Sequence, residues 1–119
     1  MEHLIKYARI AAIANHSDND NSHINSENWN PLQSDADAFD LMIRCMITIE
    51  EYEVDDYHGW TVLLSGDTRW YDGGALERIE FYGKAKQEDI REVFRKGIVE
   101  VASSIGLHYV VKGYYKDAN

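Results

Sequence analysis

Phe39, Met42, Ile43 and Met46 recur at i, i+3, i+4 and i+7, directly after Ser34 and Asp37, which stand three residues apart. A strand would scatter such residues over both faces, whereas a helix gathers them on one. Ser-x-x-Asp is a shortened capping box, with Asp in place of the usual Glu. The pattern predicts a helix over 35–46 whose stripe lies in the core, with Cys45 beside it. As the only cysteine, Cys45 excludes an internal disulfide framework or a multi-cysteine zinc site, and it suits a reducing compartment.

The other elements follow from the same reasoning. Leu4, Ile5, Ala8, Ala11 and Ala12 predict an amphipathic helix over 2–14, with Lys6 and Arg9 on its other side. Residues 15–28 carry almost nothing apolar and read as a mobile polar loop. Imperfect alternation over 47–54, turn residues at Asp55, Asp56, His58 and Gly59, and the run Trp60 to Leu64 predict a hairpin. A third strand is expected over 76–82, after the glycines at 66, 73 and 74. Ile90, Val93, Phe94, Val101, Ala102 and Ile105 mark a long helix over 87–105, with Gly97 on its apolar stripe where a missing side chain permits close approach to the sheet. Gly106 is expected at the position just past that helix, and 107–115 reads as a fourth strand or an oligomer contact.

These elements amount to one domain of 119 residues in the α+β class. The expected fold is a sandwich in which three helices cover the faces of an antiparallel sheet of three or four strands. Its core is expected to hold Leu4, Trp29, Phe39, Met42, Ile43, Met46, Val62, Leu64, Ile79, Phe81, Ile90, Val93, Phe94, Val101 and Ile105. No apolar run approaches the ~18 residues of a membrane helix, and Met1-Glu2-His3 lacks the basic start of a signal peptide, so a soluble intracellular protein is expected.

Charge is distributed unevenly. Residues 34–65 hold eight acids against Arg44 alone, which accounts for most of the formal net charge of −9. Clustered Lys and Arg are what phosphate backbones and anionic membranes attract, so direct nucleic-acid or membrane binding is disfavoured. Within this region Glu50, Glu51, Glu53, Asp55 and Asp56 fall in seven residues. On a strand, Glu51, Glu53 and Asp55 share a face about 7 Å apart, approximating the separation of phosphates along a nucleic-acid strand. The same row also describes a solvated edge strand guarded by charge. Arg69, Trp70 and Tyr71, of types enriched at binding hot spots, stand in the neighbouring loop, where folding over the core would equally explain Trp70.

Other candidate chemistry gives way to simpler readings. Asp18 to Ser22 begins like a calcium loop, but His23 stands where Gly is needed and Trp29 where a bidentate Glu is needed. His3, His16, His23, His58 and His108 share no metal-ligand spacing. Asp55-Asp56-Tyr57-His58 reads as a turn. Only Arg44 is near enough in sequence to activate Cys45, and there is no P-loop, dinucleotide fingerprint or Ser-His-Asp ordering. No cofactor and no catalytic residue is expected. The rival enzyme reading, a small hydrolase or nucleotide-processing enzyme, needs a pocket that gathers Asp35, Asp37 and Asp72 with His58.

The order helix, loop, helix, strands, helix resembles the phage ABA-sandwich domain family. Trp29, Asn30, Pro31, Leu32, Asp35, Ala36, Ala38, Phe39 and Leu41 stand where that family has its Trp-x-Pro lead into a helix, and Val101 to Gly106 stands at its closing helix. The likeness covers nearly the whole chain through short structural motifs, and brings no catalytic residues. It implies a phage or prophage source and a sandwich fold, with Glu50–Asp56 and the tail after Gly106 as additions. Together with the acidic run, it leads to the expectation of a phage accessory protein in the bacterial cytoplasm. Such a protein would bind and block a basic, nucleic-acid-binding host protein, such as a CRISPR effector or another defence complex, by mimicking nucleic acid. Glu50, Glu51, Glu53, Asp55 and Asp56, with Arg69, Trp70 and Tyr71, are its expected contact residues. A structural or assembly role, with a homodimer formed through the tail, is the remaining reading.

Overall fold

Val62 and Leu64 alternate with Thr61, Leu63 and Ser65 along the central strand of the sheet, and both are fully buried. In the computed structural model, which describes residues 2–15, 21–55, 59–68, 77–86 and 90–113, that strand is β2 (Gly59–Asp67). It pairs antiparallel with β1 (Thr48–Asp55) on one side and β3 (Arg78–Ala85) on the other, giving the order β1-β2-β3. The helices are α1 (Glu2–Asn15), a single turn α2 (Ser22–Asn25), α3 (Asp35–Arg44) and α4 (Ile90–Val111). The α+β class and the antiparallel sheet are as expected. The hairpin forms where the sequence places it.

Helix α4 is the centre of the molecule. One side of it packs on β2 and β3, and its other side takes α1. Gly97 permits the first contact, because a Cβ there would stand 2.5 Å from Phe81 and 2.7 Å from Leu64. Ala8, Ala11 and Ala12 are fully buried on α1 and form the second contact with Ala102, Ile105 and Tyr109. The layers are therefore sheet, α4 and α1. Among the described residues, no helix lies over the second face of the sheet. The helices that contact the sheet among the described residues thus pack on one of its faces.

Three further differences have physical causes. The segment expected as a fourth strand continues α4 to Val111, because Tyr109 falls one helical turn past Ile105 and is also buried. Gly106 is thus interior to the helix rather than its stop. It is kept small because a Cβ there would strike the Tyr7 backbone on α1. Part of the expected loop is structured: Ile24 in α2 is buried, and Arg9 donates to its carbonyl at 2.7 Å while lying 5.3 Å over the buried Trp29 ring. Residues 16–20, which hold most of the calcium-like run, lie outside the described residues.

The third difference concerns α3. Ser34 Oγ accepts from the Asp37 backbone N–H at 3.1 Å, so the Ser34 half of the expected capping box forms, while the Ser34 N–H donates to the Asn30 carbonyl instead of to Asp37. The buried face of α3, however, is Asp37, Ala38 and Leu41, followed by Cys45. Phe39, Ile43 and Met46 are 59%, 54% and 58% exposed, and are corrected from core to surface. Met42 is half-buried, as are Leu4, Ile79, Phe81, Ile90, Val93 and Phe94, which pack against the core. Asp37 explains the rotation. Its carboxylate accepts the Asn30 backbone N–H at 2.9 Å and the His23 ring N–H at 2.7 Å, which turns that face inward.

Candidate interaction surface

Strand β1 carries the acidic run along one edge of the sheet. The pairing register shifts between Ile49 and Glu51, a bulge that places one extra residue in β1. Glu50 consequently shares the uncovered face with Glu51 and Glu53. Its carboxylate accepts from Ser65 Oγ at 2.7 Å and Thr48 Oγ1 at 3.1 Å, and pairs with Arg78 at 3.3 Å. These contacts hold the Glu50 carboxyl below the ordinary glutamate range, the two hydroxyls contributing most and the guanidinium next. Glu51 stands opposite Leu63, and Glu53 opposite Thr61. Both are exposed, and neither makes an ion pair among the described residues.

The other side of β1 is apolar. Tyr52 stacks on Phe94 of α4, with ring centroids 5.7 Å apart. Beside Ile49, an open groove of about 560 Å³ runs between α3, β1 and α4. Phe39, Met42, Ile49, Phe94 and Ile98 supply the large apolar side chains of its wall. Asp35 closes one end, held by Arg95 at 2.6 Å and Arg91 at 3.6 Å, while Arg95 also donates to the Leu32 carbonyl at 2.9 Å. With Ile49 and Tyr52 51% and 48% exposed, the α3 stripe and the inner side of β1 make a contiguous apolar surface.

Helix α3 ends in a Schellman motif at this corner. The Ile47 N–H donates to the Met42 carbonyl at 2.9 Å and the Met46 N–H to Ile43 at 3.1 Å. This places Met46 at φ 53°, a left-handed conformation that glycine adopts without steric cost. Here a large apolar side chain occupies it.

Of the residues expected to make contact, Glu50, Glu51 and Glu53 lie together on one face. Asp55 ends β1, its side chain outside the described set, and Asp56, Arg69, Trp70 and Tyr71 lie outside the described residues altogether. Of the rival acid–base set, Asp35 is engaged with arginines and Asp37 with Asn30 and His23, while His58 and Asp72 lie outside the described residues. Among the described residues, no group of His, Cys, Asp and Glu is arranged to hold a metal ion, and no helix is long and apolar enough to cross a membrane. Cys45 is buried.

Sequence reasoning missed the groove because its walls carry the residue types that mark a core. The left-handed Met46 left no signal, since nothing in the letters Cys-Met-Ile announces a glycine-type turn. No protein-family model, no curated protein and no solved structure matches the chain.

Proposed function

We propose that this chain is a non-catalytic binding protein that occupies a basic, nucleic-acid-binding surface of another protein. The observation that carries the reading is the row Glu50, Glu51 and Glu53 on the uncovered face of an edge strand. Glu50 is fixed by Ser65, Thr48 and Arg78, which gives the row a rigid start. Glu51 and Glu53 are exposed toward solvent, where their field steers a cationic partner. Of the residues expected to serve an enzyme, Asp35 and Asp37 are instead engaged in holding α3 and the 30–34 turn. The resemblance of the Trp29–Leu41 segment to phage ABA-sandwich domains supports a phage or prophage source. The partner is then a defence protein of the bacterial host, a CRISPR effector among them, met in the cytoplasm.

A pulldown from bacterial lysate tests this reading. It compares the wild type with a form carrying Glu50→Gln, Glu51→Gln, Glu53→Gln, Asp55→Asn and Asp56→Asn. The expected result is a nucleic-acid-binding partner that the wild type retains, that salt releases, and that the neutralised form fails to capture. Capture of the same partner by both forms, insensitive to salt, would overturn nucleic-acid mimicry. Turnover of nucleotides by the purified protein would replace it with the enzyme reading.

A further inference from the structure

The α3 stripe has the spacing of a buried face and the exposure of a surface, and it adjoins the sheet edge that bears the acids. From this juxtaposition we infer that the outer edge of β1 receives an extended segment of a partner chain in which basic and apolar residues alternate. The segment adds to the sheet as a fourth strand, with its apolar side chains in the groove walled by Phe39, Met42, Ile49 and Phe94. The basic half of this inference rests on the function proposed above. The apolar half rests on the groove alone.

Among the described residues β1 has β2 on one side and no strand on the other. A strand added there lies ~4.8 Å away, and its side chains point alternately to the two faces of the sheet. On the uncovered face they meet Glu51 and Glu53, and opposite charges on neighbouring strands attract. On the helix side they meet Ile49 and Tyr52 and enter the groove. The two sides of β1 therefore specify an occupant of alternating basic and apolar character.

A second copy of this chain does not meet that specification. Pairing β1 with itself sets Glu51 and Glu53 against like charges, which is destabilising at cross-strand distance. Met46 adds to the apolar side of this specification. The Schellman turn that ends α3 sets its left-handed backbone. Here it extends the exposed apolar stripe by one more side chain.

Three ten-residue peptides test the inference on the full isotope-labelled chain by amide chemical-shift titration. One alternates Lys with Val or Leu, the second has the same composition in two blocks, and the third alternates Thr with Val or Leu. Two variants accompany them, Phe39→Ser with Ile49→Thr, and Glu51→Gln with Glu53→Gln, each first shown to melt near the wild type. The expected result is binding of the Lys-alternating peptide with shifts along β1 and α3, weakened about tenfold or more by blocking the sequence and by either variant pair. Equal binding of alternating and blocked peptides, weakened by the Glu variant and indifferent to the groove variant, would overturn strand docking and leave the acidic surface standing. Equal binding of the Thr and Lys peptides, indifferent to the Glu variant, would overturn the charge reading and the basic half of this inference. Absence of binding by all three peptides would overturn the docking inference, with the pulldown still deciding the function.

Discussion

Helices α1 and α3 each carry an apolar stripe at helical spacing, and the fold treats the two stripes in opposite ways. On α1 the stripe is small: Ala8, Ala11 and Ala12 let the helix approach α4 until the Tyr7 backbone lies against Gly106. On α3 the stripe is large, yet Phe39, Ile43 and Met46 remain in contact with solvent while Ala38 and Leu41 go inside. Small residues allow close, complementary approach, which is where dispersion contacts and excluded water contribute most. Large apolar residues left outside in a contiguous patch are the mark of a surface meant to be covered.

The α1–α4 seam is most sensitive at Gly106. Gly106→Ala places a methyl group on the Tyr7 backbone, and because backbone rather than a flexible side chain must give way, a loss of about 3 kcal/mol is expected in urea unfolding. A loss below about 1 kcal/mol would mean that the α1–α4 seam is looser than its geometry implies.

Next comes a pair of truncations on one helix. Leu41→Ala is expected to cost about 2 to 4 kcal/mol, since it opens a cavity under a fully buried side chain. Phe39→Ala should stay within about 0.5 kcal/mol, although Phe is the larger residue. Similar losses at both positions would return the α3 stripe to the core and remove the groove as a binding surface. A smaller effect of opposite sign is expected from Met46→Gly, which relieves the left-handed strain and should stabilise the chain by about 0.5 to 1 kcal/mol. The same change should weaken partner binding, and a variant both more stable and equally tight in binding would deny Met46 its role in the surface.

Much of the fold was legible because it depends on local pattern. The Ser34 cap, the pairing of β1 with β2 and the missing side chain at Gly97 each act within a few residues or on one face, and each stands where the letters place it. What was not legible depends on contacts between distant segments. Periodicity shows that α3 has an apolar stripe but not which side the tertiary structure buries, and here the Asn30 and His23 bonds to Asp37 decide it. Likewise Arg9 reads as the polar face of α1, yet it caps the Ile24 carbonyl and covers Trp29. Gly106 reads as a helix stop because glycine serves both for left-handed backbone and for close packing, and only the position of α1 separates the two. Of the candidate surface, the acid row was legible in composition. The groove beside it was concealed by its resemblance to a core.

The smallest expected effect separates the acids from one another. Glu50 accepts from Ser65 and Thr48 and pairs with Arg78, so its carboxyl is held below the ordinary glutamate range in the folded chain. A depressed folded-state value means that ionised Glu50 favours folding above the unfolded glutamate pKa of ~4.3, and that this contribution fades as pH falls through the folded value. No change is expected between about pH 6 and 8, where the carboxyl is ionised in both states. Urea midpoints of the wild type and Glu50→Gln should therefore differ at neutral pH and converge on acidification. Glu51→Gln and Glu53→Gln serve as controls that lack the Ser65 and Arg78 contacts. Parallel acid limbs for the wild type and Glu50→Gln would show that the network contributes nothing to folding, and Glu50 would then rejoin the other two acids as a residue held for the partner alone. Convergence at Glu50 would mark it as the acid that secures the bulge through Ser65, Thr48 and Arg78.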